Sequence, residues 1–395
     1  MSVIEMLPSI GELDAAQLAA LGDPAWLAER RAAAWQIYAD STAPEWRRTN
    51  LRALDLPALQ PLRGAAQTAL STTSTAGVTF IPLLTAAQRG DVIVAARLST
   101  AVEPHGHRYQ ALNAALWQDG ALLHIAKDVT VEEPLRMTIS GAAGALTTAH
   151  TIIVLERNAS AAFIEEYRGD AGMASSVTEI FLEPGATLRY TVVQTWGTEV
   201  YHIGAQRAIV GNDATIEWTS ISLGGHVQHI EAETVLQGNG SRVDWTAATF
   251  ATGNQSLLTA PWLRHIGTAT EAHMDFKTVV KDASYTTFDG MIKIEHGSHA
   301  TVSRLEEHAL HLSPKARSDS IPGLMIDTND VARAGHASTS GEVDEEMLFY
   351  MRSRGIARAD AMRLVVAGFF EPVLDRVPDT DLREQISALI DERIG

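Results

Sequence analysis

The chain has 395 residues, of which 46% are apolar and 20% charged, and its formal net charge is −17. This length allows two or three structural regions around a sizeable core. The negative charge argues against nucleic acid or an anionic membrane as a direct partner, because phosphate recognition needs clustered Lys and Arg. No apolar run approaches the roughly 20 residues that span a bilayer. Residues 1–12 also lack the basic start and apolar stretch of a signal peptide, so the expected location is cytoplasmic.

The first 77 residues are predicted to form an N-terminal helical region. Asp23 is expected to cap a helix that has Pro24 at its first position and ends near residue 39. Three residues share one face of this helix: Leu27, Ala34 and Tyr38. Residues 78–145 give short, mixed signals and are assigned to a connecting region.

Residues 146–341 are predicted to form a core of repeated segments about 27–30 residues apart. Each repeat is a small or polar turn followed by an alternating, β-rich strand, and no convincing amphipathic helix fits between repeats, which argues against a doubly wound α/β fold. The turns of six repeats begin at Asn158, Gly185, Asp213, Gly240, Thr270 and His299.

Two architectures fit such strands: a sandwich or barrel, and a β-helix in which each repeat is one coil. Similar residues at similar positions in successive repeats favour stacked coils. The sequence therefore predicts a mainly β protein, a right-handed parallel β-helix flanked by N-terminal and C-terminal α-helical regions.

Residues 342–395 are predicted to be helical again. Asp344 can cap a first helix that stops at Gly355, Pro372 is expected to close a second helix, and a third begins near Asp379. The apolar stripes of these helices could form a cap on the coils or dock a partner.

Several functional groups are missing from the chain. It has no cysteine, which excludes disulfides, thiolate catalysis and thiolate ligation of a metal by this chain. It also has no GxSxG motif and no P-loop GxxxxGK[ST]. The chain therefore cannot hydrolyse ATP by the usual P-loop route, and any ATP-driven step would need a partner.

Histidine and carboxylate patterns suggest chemistry but have simpler explanations. HxxH pairs on β-strands would point to opposite faces, so no dedicated metal site is predicted from them. These pairs are His226 and His229, His296 and His299, and His308 and His311.

A column of carboxylates is the second pattern. Glu217 and Asp244 hold equivalent places in adjacent repeats, and Asp275 is one residue out of phase. Such a column could hold Ca²⁺ and polysaccharide in a β-helix carbohydrate-active enzyme. Because Arg189 takes the equivalent place in the preceding repeat, a charge-compensated surface ladder is favoured.

The C-terminal end carries the most specific residues. Residues 318–331, 334–341, 343–355 and 368–372 together resemble the last coil and the following helices of the SufB/SufD family. Near the N-terminus, Glu45–Leu51 (EWRRTNL) is similar to the family's E-W-R-x-T-[DN]-L signature.

The resemblance implies a non-catalytic scaffold subunit of an iron–sulfur cluster assembly complex. In that family, SufB and SufD pair through their β-helices, and each binds the SufC ATPase through its C-terminal helices. The lack of cysteine favours the SufD type, since SufB carries the thiolate that receives sulfur. The cluster would form in the complex, with no cofactor bound by the isolated chain. Flavin in the complex and a self-paired homodimer without SufB both stay open.

The resemblance also implies site residues. His336 matches the histidine that SufD contributes at the SufB interface, where a neutral imidazole can ligate iron in a ligand set shared with SufB. The alternative is a structural histidine that caps the last coil. Aromatic and Arg side chains dominate interface centres, and five such residues are expected to dock the ATPase unless they pack among the C-terminal helices: Phe349, Tyr350, Arg352, Arg354 and Phe370.

Overall fold

A computed structural model describes residues 5–63 and 67–394. Residues 1–4, 64–66 and 395, which belong to the predicted N-terminal and C-terminal regions, lie outside the described residues. The protein is mainly β, with 43% strand and 22% helix, and its centre is a parallel β-solenoid of about 8 turns. The predicted fold class and the stacked coils are confirmed.

The N-terminal region mixes short helices with short strands, so it is less purely helical than predicted. Its elements are β1 (Glu5–Met6), α1 (Ala15–Ala19), α2 (Ala25–Asp40), a 3₁₀ turn (Leu56–Ala58), β2 (Gln60–Arg63), β3 (Thr68–Leu70), β4 (Val78–Pro82), α3 (Leu83–Gln88), α4 (Val92–Arg97) and α5 (Arg108–Leu116).

A buried cation joins helix α2 to the end of α5. Pro24, not Asp23, is the N-cap of α2, and the expected Asp23 cap is replaced by an ion pair of 2.8 Å with Arg31. Arg31 also donates to the carbonyl oxygens of Ala115 and Trp117. Burial lowers the pKa of Arg31 to about 10, although Asp23 opposes this shift. The aspartate therefore compensates a buried charge instead of capping the helix.

Two sheets form the walls of the solenoid. Their further strands are β5 (Ala121–Ile125), β6 (Leu135–Gly141), β7 (Ala145–Leu155), β8 (Ser160–Gly169), β9 (Met173–Leu182), β10 (Thr187–Trp196), β11 (Tyr201–Val210), β12 (Thr215–Ser222), β13 (Val227–Leu236), β14 (Arg242–Ala251), β15 (Ser256–His265), β16 (Glu271–Val280), β17 (Tyr285–Phe288), β18 (Met291–Ile294), β19 (Thr301–His311), β20 (Arg317–Ser320), β21 (Gly323–Ile326) and β22 (Val331–Glu342).

The six predicted repeat strands lie side by side in one sheet. Among the described residues this sheet has the order β22-β19-β16-β14-β12-β10-β8-β6-β3, and the intervening strands form the other sheet, with β2-β7-β9-β11-β13-β15-β17-β20 along its path. Each repeat is thus one coil that contributes a strand to each wall. The stack begins before the predicted boundary at residue 146, because β6 already pairs with β8 and β5 with β7.

The polar turns of the repeats occupy one corner of the coils. Asn158, Gly185, Asp213 and Gly240 all have a positive φ, between 54° and 73°. Glycine adopts this backbone conformation without strain, and Asn and Asp tolerate it better than other residues. The corner therefore explains why these residue types recur with the period of the coil.

Aromatic side chains fill the interior at one register position. Phe163, Tyr190, Trp218 and Trp245 follow one another in adjacent strands, with ring centroids 6.2, 5.1 and 4.5 Å apart. All four are buried. Stacked coils bury these large rings in one continuous core.

The C-terminal region consists of α6 (Glu345–Ser353), α7 (Arg358–Leu374) and α8 (Thr380–Ile394). Asp344 caps α6 by accepting from the amides of Glu346 and Met347, as predicted. Pro372 does not close α7, as the sequence suggested, but lies inside its last turn, two residues before the helix ends at Leu374. In the part of the chain that the structure describes, no helix has the length and apolarity needed to cross a membrane.

Candidate partner-binding surfaces

The solenoid ends in an open edge. Within residues 5–63 and 67–394, β22 pairs with β19 and with no further strand, and β20 is likewise the last strand on the path of the other sheet. β22 has 12 residues, most of them exposed. A long exposed edge presents unpaired backbone N–H and C=O groups that can continue a sheet into another chain.

His336 lies at this open end. It is in register with Leu305 of β19, which is fully buried in the core. Residues that are in register in parallel strands face the same side of the sheet. His336 therefore continues the row of inward-facing side chains to which Leu305 belongs. It is nevertheless exposed, because β22 is the last strand of its sheet.

A buried carboxyl group that the sequence analysis did not single out lies on β19 opposite Ser338, which is two residues along β22 from His336. Glu307 is 2% exposed and accepts a hydrogen bond of 2.9 Å from the Ser338 hydroxyl. Burial raises the pKa of Glu307. Its burial had one sequence signal: buried and less buried residues alternate along β19, and this alternation places Glu307 on the same face as Leu305.

His336 is not part of a complete metal site within the described residues. Among the described residues, no group of three or more His, Asp or Glu side chains could hold a metal ion. The members of an HxxH pair also have separate partners: His308 Nδ1 is 2.7 Å from the Thr339 hydroxyl, and His311 Nε2 is 2.8 Å from that of Ser318. A complete ligand set at the open end would need residues from another chain.

The carboxylate column is part of a mixed-charge ladder. Arg189, Glu217, Asp244 and His273 are in register in adjacent strands, and Arg189 Nε lies 3.5 Å from a Glu217 oxygen. The predicted offset of Asp275 is wrong: it lies two residues beyond the ladder position held by His273. The offset was counted from Thr270, whereas the residue with positive φ at the corner of that coil is Ala269.

Asp244 is contacted from two directions by an arginine and a histidine. Arg376 lies 2.9 Å away and His273 3.7 Å away. Burial alone would raise the pKa of Asp244, but these partners lower it below its ordinary value. The ladder is therefore charge-compensated, as the position of Arg189 indicated.

Helix α6 presents an exposed aromatic pair. Phe349 is 70% exposed and Tyr350 59% exposed. The Arg354 guanidinium lies 5.2 Å from the centre of the Tyr350 ring, and Arg352 is exposed on the same helix. Four of the five residues expected to dock a partner are thus on the surface.

Phe370 is not on that surface, so the prediction that it docks a partner is wrong. It is fully buried between α7 and the outer face of the nine-stranded sheet, with its ring centre 6.2 Å from that of Phe250. Two apolar residues that the sequence analysis had not chosen are exposed instead: Met347, 47%, and Leu364, 55%.

Comparisons with known proteins indicate the family of the chain. The family model described as "SUF system FeS cluster assembly, SufBD core domain" matches residues 137–369. The iron–sulfur cluster assembly protein SufD of Bacillus subtilis is 31% identical over 325 residues, which are 80% of this chain and 74% of that protein. SufB of Bacillus subtilis is 26% identical over 76% of this chain and 66% of its own length. A SufBD family protein of Mycobacterium tuberculosis is 28% identical over 70% of this chain and 72% of its own length.

The family match covers more than half of the chain and includes most of the coils, the open edge, α6 and most of α7. The chain belongs to the SufB/SufD family of SUF-system iron–sulfur cluster assembly proteins.

Proposed function

We propose that this chain is a SufD-like, non-catalytic subunit of a cytoplasmic iron–sulfur cluster assembly complex. It pairs with a SufB-like paralogue through the open end of the solenoid and binds a SufC-like ATPase through helix α6. One observation supports this proposal most: the unpaired edge strand β22 carries an exposed His336 in its inward-facing row.

The open end suits a paralogue better than an unrelated protein. A second solenoid can add its own strands to both walls, so that backbone hydrogen bonds continue across the contact. Apolar residues at the same end support such a contact, since Met325 is 45% exposed and Ile326 44% exposed on β21. In this arrangement the cluster is cargo, and His336 supplies one ligand while the paralogue supplies the thiolates that this chain lacks.

Two observations favour the SufD type. The chain is 31% identical to SufD and 26% identical to SufB of the same bacterium. It also has no cysteine, and without a thiolate it cannot receive sulfur as SufB does.

The exposed surface of α6 supports a separate ATPase partner. Phe349 and Tyr350 are large aromatic residues that a solitary protein would not benefit from exposing. Arg352 and Arg354 provide the cationic rim that often accompanies such anchors. The absence of a P-loop from this chain is in keeping with an ATPase on another polypeptide.

Co-expression with a Cys-containing paralogue and a P-loop ATPase tests the proposal. We expect a stable complex on affinity purification and cluster formation when iron and sulfide are supplied. His336→Ala should lower cluster formation while the complex stays intact. His299→Ala, which alters an exposed histidine on the loop before β19, is the matched control and should behave like the wild type.

Two results would overturn parts of the proposal. A wild-type chain that forms a stable homodimer and does not bind the paralogue would favour the self-paired scaffold. Full cluster formation by the His336→Ala complex would remove the assignment of this histidine.

A further inference from the structure

We propose that the segment Glu45–Leu51, here called the strap, holds the open end of the solenoid in the geometry that pairing requires, with Arg48 as a positioning residue. The strap crosses the outer face of the sheet that ends in β20. Its effect on pairing rests on the proposed function, whereas its effect on β20 does not.

The strap is anchored on β13, three strands before the end of its sheet. The Trp46 ring stacks on the imidazole of His229 with centroids 3.7 Å apart and an angle of 19° between the planes. The buried Thr49 hydroxyl lies 2.6 Å from Nδ1 of the same imidazole. One outward-facing histidine of the solenoid thus binds two strap side chains.

A carboxylate holds this histidine in place. Glu231 follows two residues later on β13, and its two oxygens lie 3.4 Å from Nε2 of His229 and 3.4 Å from Nε2 of His107. Nδ1 of His107 accepts from the amides of Tyr109 and Gln110 at the start of α5. Its Nε2 therefore carries the proton and faces Glu231 as a donor. The anchor joins the strap, α5 and β13.

The other contact of the strap is at the open end. Nε of Arg48 donates to Oδ2 of Asp319 at 3.0 Å, across 271 residues of sequence. The hydroxyl of Tyr285 on β17 donates to the same oxygen at 2.7 Å. The hydrogen bonds from Tyr285 and Arg48 lower the pKa of Asp319, so its carboxylate is charged at neutral pH.

Asp319 lies on β20, which has few other supports. β20 has only four residues and, among the described strands, pairs with β17 alone. Arg48 links it to a segment that is fixed three strands away on β13. Such a link orders the edge before a partner arrives and reduces the ordering that binding would otherwise require.

Hydrogen exchange of the isolated full chain tests the strap directly. Arg48→Ala should speed exchange of the amides in residues 317–320 by about two- to fivefold, the range expected for an exposed ion pair. Arg47→Ala, which removes the same charge from the adjacent exposed position, should leave that exchange unchanged. Arg48→Lys should restore most of the protection. Equal exchange in wild type and Arg48→Ala would overturn the proposal.

Binding to the paralogue tests the positioning role. Arg48→Ala and Asp319→Asn should each raise the dissociation constant by about two- to fivefold, and the double variant should be no worse than either single variant, because both changes remove one interaction. Arg47→Ala should bind like wild type. Additive losses, or unchanged affinity in Arg48→Ala, would contradict this role. If the wild-type chain fails to bind the paralogue at all, the proposed function fails, and the exchange experiment still decides the strap.

Discussion

The exposed His336 imidazole follows the fully buried Leu305 side chain in the inward-facing row of the solenoid. In the coil that contains Leu305, the next coil covers this position. In the described part of the chain, no further coil covers β22, so a histidine at this position can bind a partner without contributing to the core of its own chain.

His336→Leu is therefore expected to separate stability from function. The midpoint of thermal unfolding of the isolated chain should change little, because substitutions of exposed residues usually alter stability by less than about 0.5 kcal/mol. Cluster formation in the complex should fall, since leucine cannot bind iron. Circular dichroism and an iron–sulfide reconstitution assay measure the two effects. A large loss of stability with normal cluster formation would instead identify His336 as a structural cap of the last coil.

Phe349→Ala is expected to weaken binding of the ATPase without destabilising the chain. The ring is 70% exposed, so its removal leaves no cavity. Aromatic anchors at interface centres typically contribute about 2 kcal/mol or more, which corresponds to roughly a 30-fold rise in the dissociation constant. Calorimetric titration of the ATPase measures this change. Unchanged affinity would remove Phe349 from the docking surface.

Phe370→Ala is expected to show the opposite behaviour. This ring is fully buried against the sheet, near Phe250. Its removal should destabilise the chain by about 3–5 kcal/mol through lost burial and a cavity. Denaturant unfolding measures the loss. A stability close to that of the wild type would show that α7 does not pack on the sheet as described.

Glu231→Gln is expected to destabilise the anchor of the strap above about pH 4.5. Burial alone would raise the pKa of Glu231, but hydrogen bonds from His107 and His229 lower it from 4.5 to about 2. A carboxylate with a lowered pKa stabilises the fold above its unfolded pKa, and this contribution is lost as the pH falls from about 4.5 towards 2. Because the side chain is 38% exposed, we expect a loss of only about 1 kcal/mol at pH 7. Thermal unfolding at several pH values should show the difference from wild type shrinking in acid, and a constant difference would contradict this account.

Glu307→Gln, unlike Glu231→Gln, is expected to leave the stability of the fold unchanged or to increase it at alkaline pH. Burial raises the pKa of Glu307, so the folded chain opposes its ionisation. The corresponding stability is present below the unfolded pKa and is lost as the pH rises through the folded pKa. Glutamine can still accept from Ser338 but carries no charge. The variant should therefore melt at or above the wild-type temperature at pH 8, and the two should converge in acid.

The neighbouring Glu306 provides a matched control for this experiment. Its side chain faces outward and pairs with Arg304, which lowers the pKa of Glu306 although burial acts against it. Glu306→Gln should therefore lower the melting temperature at neutral pH. A higher melting temperature for both variants would show that burial of Glu307 is not the cause.

The repeats could be predicted from sequence because each coil has, at the same corner, one residue with a positive φ. Asn158, Gly185 and Asp213 mark that corner with residue types that favour a positive φ. The coil of β6 begins with the same kind of corner, at Asp128 with φ 61°, but it was missed because β6 begins only at Leu135, whereas β8 begins two residues after Asn158. The offset of Asp275 was wrong by one residue because the corner of its coil is at Ala269, and alanine, unlike Gly, Asn or Asp, gives no sequence signal for a positive φ.

Burial by other elements could not be predicted from local pattern. Phe370 belongs to an apolar stripe, and a stripe does not reveal whether a sheet or a partner covers it. The alternation of β19 places Glu307 on the same face as Leu305, but its burial also depends on β22, whose Ser338 lies opposite it. The contact between Arg48 and Asp319 joins two motifs that only the folded solenoid brings together.

Hydrogen exchange of the chain with and without its Cys-containing paralogue tests the central claim most directly. If the open end is the pairing surface, amides of β22, β20 and β21 should gain protection on binding, while those of β6 at the other end of the stack should not change. Protection confined to β6 or to the N-terminal region, with β22 still exchanging freely, would contradict the account.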